Sequence, residues 1–160
     1  MGKLVNVTIV SALLLCARPA IAQGPTVEVI GLNGKAVKVS IDGMTRHLVT
    51  ATQGGAKVEF EGVMMRDVLA KADTPLGERL HGPDALTTFV LATARDGYRA
   101  VFAIAELDAS FTDGVVMIAD RRDGKRLDEK TGPLQIVTPD EKRAGRWMRQ
   151  LMKLEVRQAK

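Results

Sequence analysis

From Thr26 onward, apolar positions come in short alternating runs broken by glycine-bearing turns. Val27, Val29 and Leu32 lead into Asn33-Gly34, and Val37, Val39 and Ile41 alternate after it. That pattern predicts a tight hairpin with both turn residues at positive φ. The stretch Ser40 to Leu48 is open between loop and a short helical turn capped by Ser40. Gln53-Gly54-Gly55 reads as a loop and Lys57 to Phe60 as a short strand. Met65, Val68, Leu69 and Ala72 share one helical face, so Met64 to Ala72 is expected to be a helix ended by Asp73-Thr74-Pro75. Thr87 to Ala94 and Tyr98 to Ile104 form a second hairpin around Asp96-Gly97. A two-residue loop would set Arg95 opposite Tyr98, Leu91 opposite Phe102 and Phe89 opposite Ile104. A helical turn over Ala105 to Phe111 and a strand over Val115 to Ala119 follow. Asp123-Gly124 then turns the chain, and a strand over Leu134 to Val137 is closed by Pro139. Ala144, Trp147, Met148 and Leu151 suggest a last short helix with Trp147 in the core, before a final strand through Leu154 and Val156. The fold class expected is α+β: mixed β-sheets with hairpins and a few short helices.

The first residues follow a different pattern. Lys3 precedes a mostly apolar run from Leu4 to Ala17, and Arg18-Pro19 is followed by Ala20-Ile21-Ala22. This order predicts a secretory signal over residues 1–22, cleaved before Gln23, and one domain over residues 23–160. The run is shorter than the ~18–20 apolar residues of a membrane span. A retained anchor and a lipid on Cys16 are the competing readings, the latter disfavoured by Leu15 where lipoprotein signals resemble one another in having a small residue. The location expected is therefore periplasmic or secreted, with no membrane anchor after cleavage.

Cleavage changes the chemistry available. The signal holds Lys3 and Arg18 of the 23 basic residues and none of the 19 acids, so the mature charge falls from +4 to about +2. That is too small to argue for nucleic acid. The chain's one cysteine, Cys16, also lies in the signal. The mature domain then has no disulfide, no thiolate nucleophile and no cysteine metal ligand. His47 and His81 are the only histidines and sit in no metal-ligand motif. Ser40 and Ser110 lie in no nucleophile elbow. Glu106, Asp108 and Asp113 read as a solvated face rather than an acid/base pair. No phosphate loop occurs.

Two basic groups stand out. Arg121, Arg122, Lys125 and Arg126 crowd the Asp123-Gly124 turn. Lys142, Arg143, Arg146, Arg149 and Lys153 lie on or near the expected last helix. Either group is a solvated surface or an anion site. The second is favoured as a site, because Arg143 and Arg146 would stand one turn apart at a helix start, with Lys142 beside them.

The motifs also occur in an ordered series. Phe60-Glu61-Gly62-Val63 with Arg66-Asp67-Val68-Leu69 resembles the W-x-G-V-x-x-x-D-L-L segment of the sulfite-oxidase-type molybdopterin-binding domain. Asp96-Gly97-Tyr98 and Ala105-Glu106-Leu107 resemble its next part. Asp123 to Leu127, Gly132-Pro133-Leu134 and Val137-Thr138-Pro139 resemble its dG-x-x-L, G-x-P-x-R and v-x-P elements. Arg143, Arg146 and Trp147, with Leu154-Glu155-Val156, resemble its closing K-S-x-K-W and I-x-V elements. The resemblance spans roughly residues 27–157. It implies a molybdenum–pterin cofactor used for oxygen-atom transfer or related redox work, with Arg143, Arg146 and Lys142 holding the pterin phosphate.

The departures matter as much. In that family a cysteine thiolate binds molybdenum. Motif order would put it around Thr50 to Gly54, where this chain has Thr50-Ala51-Thr52-Gln53-Gly54. The arginine after the Gly-x-Pro element is replaced by Gln135. The resemblance thus implies an exported cysteine-less binding or accessory module, with no catalytic residue, no protein metal ligand and molybdopterin as its candidate cofactor. A pterin or other anionic small molecule and a periplasmic redox protein are the partners in view. Two alternatives stay open. One is an active enzyme that uses the pterin dithiolene with water or a carboxylate. The other is a protein-interaction domain that meets an acidic partner.

Overall fold

The computed structural model describes residues 24–160; the expected signal, residues 1–22, lies outside the described residues. Two five-stranded sheets carry the fold. The first holds β1 (Thr26–Ile30), β2 (Ala36–Ser40), β5 (Thr88–Ala94), β6 (Arg99–Ala103) and β10 (Leu151–Gln158), in the order β2-β1-β10-β5-β6. β1 and β10 run parallel and the other pairs antiparallel. The second sheet holds β3 (His47–Gln53), β4 (Ala56–Met64), β7 (Met117–Arg122) and β8 (Lys125–Arg126) in that order, with β9 (Gln135–Val137) also pairing β7. Two short helices, α1 (Met65–Ala70) and α2 (Ile104–Leu107), complete the expected α+β architecture. Among the described residues no helix is long and apolar enough to cross a membrane.

The main core joins both sheets to α1. Val27, Val90, Phe102 and Leu154 of the first sheet meet Val63, Ile118 and Ile136 of the second and Val68 and Leu69 of the helix. A second cluster of Phe60, Met117, Ala119, Val137 and Trp147 is separate from it. β7 alternates between the two, with Ile118 in one and Met117 and Ala119 in the other. A strand covered on both faces must be apolar at every position, which is why this segment reads as an unbroken run.

Gly62 marks the closest backbone approach. A Cβ there would lie 2.1 Å from the Ile118 carbonyl oxygen and 2.6 Å from Ala119 Cα. The β4–β7 register shifts between Glu61 and Gly62, so this glycine lets the two strands touch at a bulge.

Several local expectations need correction. Between β1 and β2 only Gly34 of the Asn33-Gly34 pair has positive φ, and the connection runs from Gly31 to Lys35. The Asn33 side chain instead accepts from the Lys35 amide at 2.9 Å. The two-residue hairpin of that type belongs to Gly54-Gly55, with φ of 59° and 85°. The β5–β6 register is slipped by one residue from the expected pairing. Leu91 opposes Val101 and Val90 opposes Phe102. The connection holds Arg95, Asp96 and Gly97, because the Ala94 amide bonds to the Tyr98 carbonyl at 2.9 Å. One residue of slip exchanges the faces, so Val90 and Phe102 are buried while Val101 is exposed.

The expected last helix is absent. Ala144–Arg146 form a single 3₁₀ turn, followed by extended chain into β10. The spacing misleads because its apolar residues enter different cores. Trp147 joins the second cluster, while Met148 and Leu151 join the main one. The segment is laced to β9 instead: Ile136 donates to the Met148 carbonyl at 2.8 Å and Leu151 to the Leu134 carbonyl at 2.9 Å. Trp147 is buried, as its apolar neighbours suggest, with its ring edge-on to Phe60 at 5.5 Å. Its Nε1 donates to the Thr138 carbonyl at 3.0 Å.

Candidate functional site

The loop between β9 and β10 brings Lys142, Arg143 and Arg146 close in sequence and separates their roles. Arg146 leaves the 3₁₀ turn towards β6 and α2. Its Nε donates to Glu141 at 2.7 Å, and its Nη2 donates to Glu106 at 2.8 Å and also reaches Glu141. Nη1 donates to Glu106 at 3.2 Å and to the Val101 carbonyl at 3.1 Å. The guanidinium carbon lies 4.6 Å from the centre of the Phe102 ring. Glu106 also accepts the Ala103 amide at 2.8 Å, so it caps α2 and grips Arg146 at once. Tyr98 donates its hydroxyl to the Gly145 carbonyl at 2.6 Å, fixing the turn from the other side.

The charges respond to this arrangement. Hydrogen bonds from Arg146 to Glu106 raise the guanidinium's affinity for its proton, against partial burial. Burial alone would push the Glu106 carboxyl up. The bonds from Arg146 and the Ala103 amide outweigh it and hold that carboxyl below the usual range. Arg146 is therefore a cation with two carboxylate partners. Lys142 and Arg143 are exposed and form no ion pair with a described residue. With the helix gone, no helix dipole backs the three side chains.

A cavity of about 510 Å³ opens beside the clamp, bounded by Glu106, Glu141, Arg146, Val115 and Val116. Thr138 also lines it, with its hydroxyl buried and unpartnered. Position in the sequence gives no sign of this cavity, because its walls come from three separate segments.

The acidic trio divides as well. Glu106 belongs to the clamp and Asp113 is exposed. Asp108, expected on a solvated face, is only 3% exposed. It accepts from the Ser110 amide at 2.8 Å, the Ser110 hydroxyl at 2.7 Å and the Gly77 amide. Burial would raise its pKa, and these bonds together lower it. It pins two loops together. Ser40 accepts the Asp42 amide at 3.2 Å, and no helical turn follows it. His81 Nδ1 lies 2.8 Å from the Glu78 carbonyl. Among the described residues no group of three or more His, Cys, Asp or Glu is arranged to hold a metal.

The second basic group sits on the β7–β8 hairpin. Arg121 opposes Arg126 and Arg122 opposes Lys125. Arg122 lies 5.9 Å from the Phe60 ring centre and 3.5 Å from Asp123. The tip is tied to β4, since Asp123 donates its amide to the Glu59 carbonyl at 2.8 Å and accepts the Glu59 amide at 3.0 Å. Beyond it, Arg46 bridges Glu61 at 3.0 Å and Asp120, a network that the sequence reading missed.

Thr50 opposes Glu59, which puts the Thr50–Gly54 segment level with Asp123. The Arg146 cavity meets β7 at its other end, next to Val116. The two places are separated by the length of β7 and its flanking residues, roughly 20 Å at ~3.3 Å per residue.

The structure is thus an α+β domain whose β9–β10 loop carries one arginine clamped by two carboxylates and two exposed cations. The family model for the oxidoreductase molybdopterin binding domain matches residues 27–160, and the chain belongs to that family. No curated protein matches it in a sequence comparison. The described residues do not fit a thiolate-ligated molybdenum centre. Residues 24–160 contain no cysteine, and the segment where the resemblance looks for one ends in an exposed two-residue turn. Gln135, in place of an arginine, is buried in β9.

Proposed function

We propose that this chain is an exported binding or accessory module built on the molybdopterin-binding fold, and that it does not carry out oxygen-atom transfer. The observation that carries the reading is the Arg146 clamp. The cation at the family's basic position is already paired with Glu106 and Glu141, so its charge is spent on holding the loop. Lys142 and Arg143 remain as the exposed cations for a pterin phosphate or a similar small anion. Export rests on the Lys3, apolar-run and Ala20-Ile21-Ala22 pattern. The missing thiol removes the protein's soft ligand for molybdenum.

The test is purification of the natively produced chain from a molybdenum-replete host. Molybdenum and fluorescent pterin are measured per chain, with sulfite and sulfoxide turnover. The reading expects a cleaved chain, at most bound pterin, and no turnover above the level without protein. Robust turnover would overturn it.

A further inference from the structure

An unpaired strand edge offers backbone N–H and C=O groups to any extended chain, so natural sheets defend their edges with charge, proline or covering loops. In this fold the other edges are defended. β2 carries Lys38 and follows Lys35. β6 begins with Arg99, and its Val101 carbonyl is taken by Arg146. β8 is two basic residues, and β9 is covered through Met148 and Leu151. β3 differs. His47 to Gln53 contains no acid, lysine, arginine, proline or glycine, and Leu48 is 62% exposed. Its partner on one side is β4, and among the described residues nothing pairs its other side.

We propose that the free edge of β3 binds β3 of a second copy, antiparallel, about a twofold axis through Thr50. The register follows from the hairpin. Gln53 and Ala56 flank the two-residue turn, so they exchange their hydrogen bonds, and alternate residues back along β3 do the same with β4. Leu48, Thr50 and Thr52 therefore turn their N–H and C=O groups outward. These three positions are symmetric about Thr50. Centring the axis there pairs Leu48 with Thr52 of the second copy and Thr50 with itself, and satisfies every outward group at once. A shift of register leaves some of them unpaired.

The side chains support a second copy as the occupant. No charge lies on β3, so the twofold brings no like charges together. The axis sets Val49 against Ala51 of the second copy. Ala51 belongs to the second apolar cluster and Val49 packs against it, so the dimer continues that cluster from one copy into the next. The contact is short, which implies a weak dimer at the low end of interface size.

Sedimentation velocity of the natively produced chain, from low micromolar to submillimolar concentration, tests this. A concentration-dependent dimer is expected. Thr50→Lys sets two ammonium groups together at the axis, and Thr50→Pro removes an outward N–H that an edge strand can spare. Each should abolish the dimer and leave the melting temperature unchanged. In a Cys16→Ser background, Thr50→Cys should give a disulfide-linked dimer under mild oxidation, because opposed hydrogen-bonded residues lie ~5.5 Å apart. Lys38→Cys, on the defended β2 edge, should not. The cross-link decides the matter if the other Thr50 variants fail to fold. A monomer at all concentrations, or a dimer that persists in folded Thr50→Pro, overturns the proposal. A monomer whose Leu48, Thr50 and Thr52 amides resist hydrogen exchange also overturns it and assigns the edge to another segment of the same chain.

Discussion

Near the two ends of β7 an arginine lies beside an aromatic ring, Arg146 on Phe102 of the first sheet and Arg122 on Phe60 of the second, and the two are used differently. At one end Arg146 lies 4.6 Å from the Phe102 ring centre, between Glu106 and Glu141. At the other Arg122 lies 5.9 Å from the Phe60 ring centre, with Asp123 at 3.5 Å. In sequence both belong to similar basic runs. The difference comes from long-range topology: Glu106 is brought to Arg146 from α2, whereas the acid beside Arg122 is its own chain neighbour Asp123. A run of basic residues therefore does not say which cation is free to bind.

The largest effect is expected at Trp147, which follows Arg146 in the chain and packs on Phe60, the ring beside Arg122. Trp147→Ala removes a buried ring that touches Phe60 and bonds to Thr138, and should cost about 3–5 kcal/mol in urea unfolding. Gly62→Ala comes next, at about 2–3 kcal/mol, because its Cβ would meet the backbone of Ile118 and Ala119 instead of a movable side chain. An unchanged unfolding midpoint in either variant would show that β4 does not pack in this way against Trp147 and β7.

Glu106→Gln should cost about 1 kcal/mol, a small value because the carboxylate is 38% exposed and screened by water. Its pH dependence is the sharper readout. The folded Glu106 pKa is depressed, so its contribution is complete above the ordinary glutamate value of ~4.3 and is lost as pH falls through the lower folded value. Wild type and Glu106→Gln should differ near neutrality and converge in acid. Parallel curves down to about pH 2 would mean that the clamp stores no such linkage. The smallest effect is expected at the other end. Arg122→Ala should change stability by under ~0.5 kcal/mol.

How much of this was legible depended on whether the information was local. α1 was readable because Met65, Val68 and Leu69 all enter one core. The β7–β8 turn was readable because Asp123-Gly124 carries the positive φ values its type needs. The β5–β6 register was not, since Asp96-Gly97 looks like a complete turn until the Ala94–Tyr98 bond closes a longer one. The final helix failed because two cores share its apolar residues, and ladder bonds to β9 decide the backbone. The basic loop was visible as charge, but its division into one clamped and two exposed cations depends on Glu106, which is distant in sequence. Glu106 did leave a local trace, as a glutamate placed to cap α2 from its third position.

We propose that Arg146 is structural and that Lys142 and Arg143 offer the anion-binding surface. Phosphate or pterin titration of the natively produced chain beside Arg143→Ala, Arg146→Ala and Arg122→Ala tests it most directly, with melting temperature followed in parallel. Arg143→Ala should weaken binding at unchanged stability, Arg146→Ala should lower the melting temperature with little loss of affinity, and Arg122→Ala should do neither. Loss of binding in Arg146→Ala at unchanged stability, or equal binding in all three variants, would contradict it.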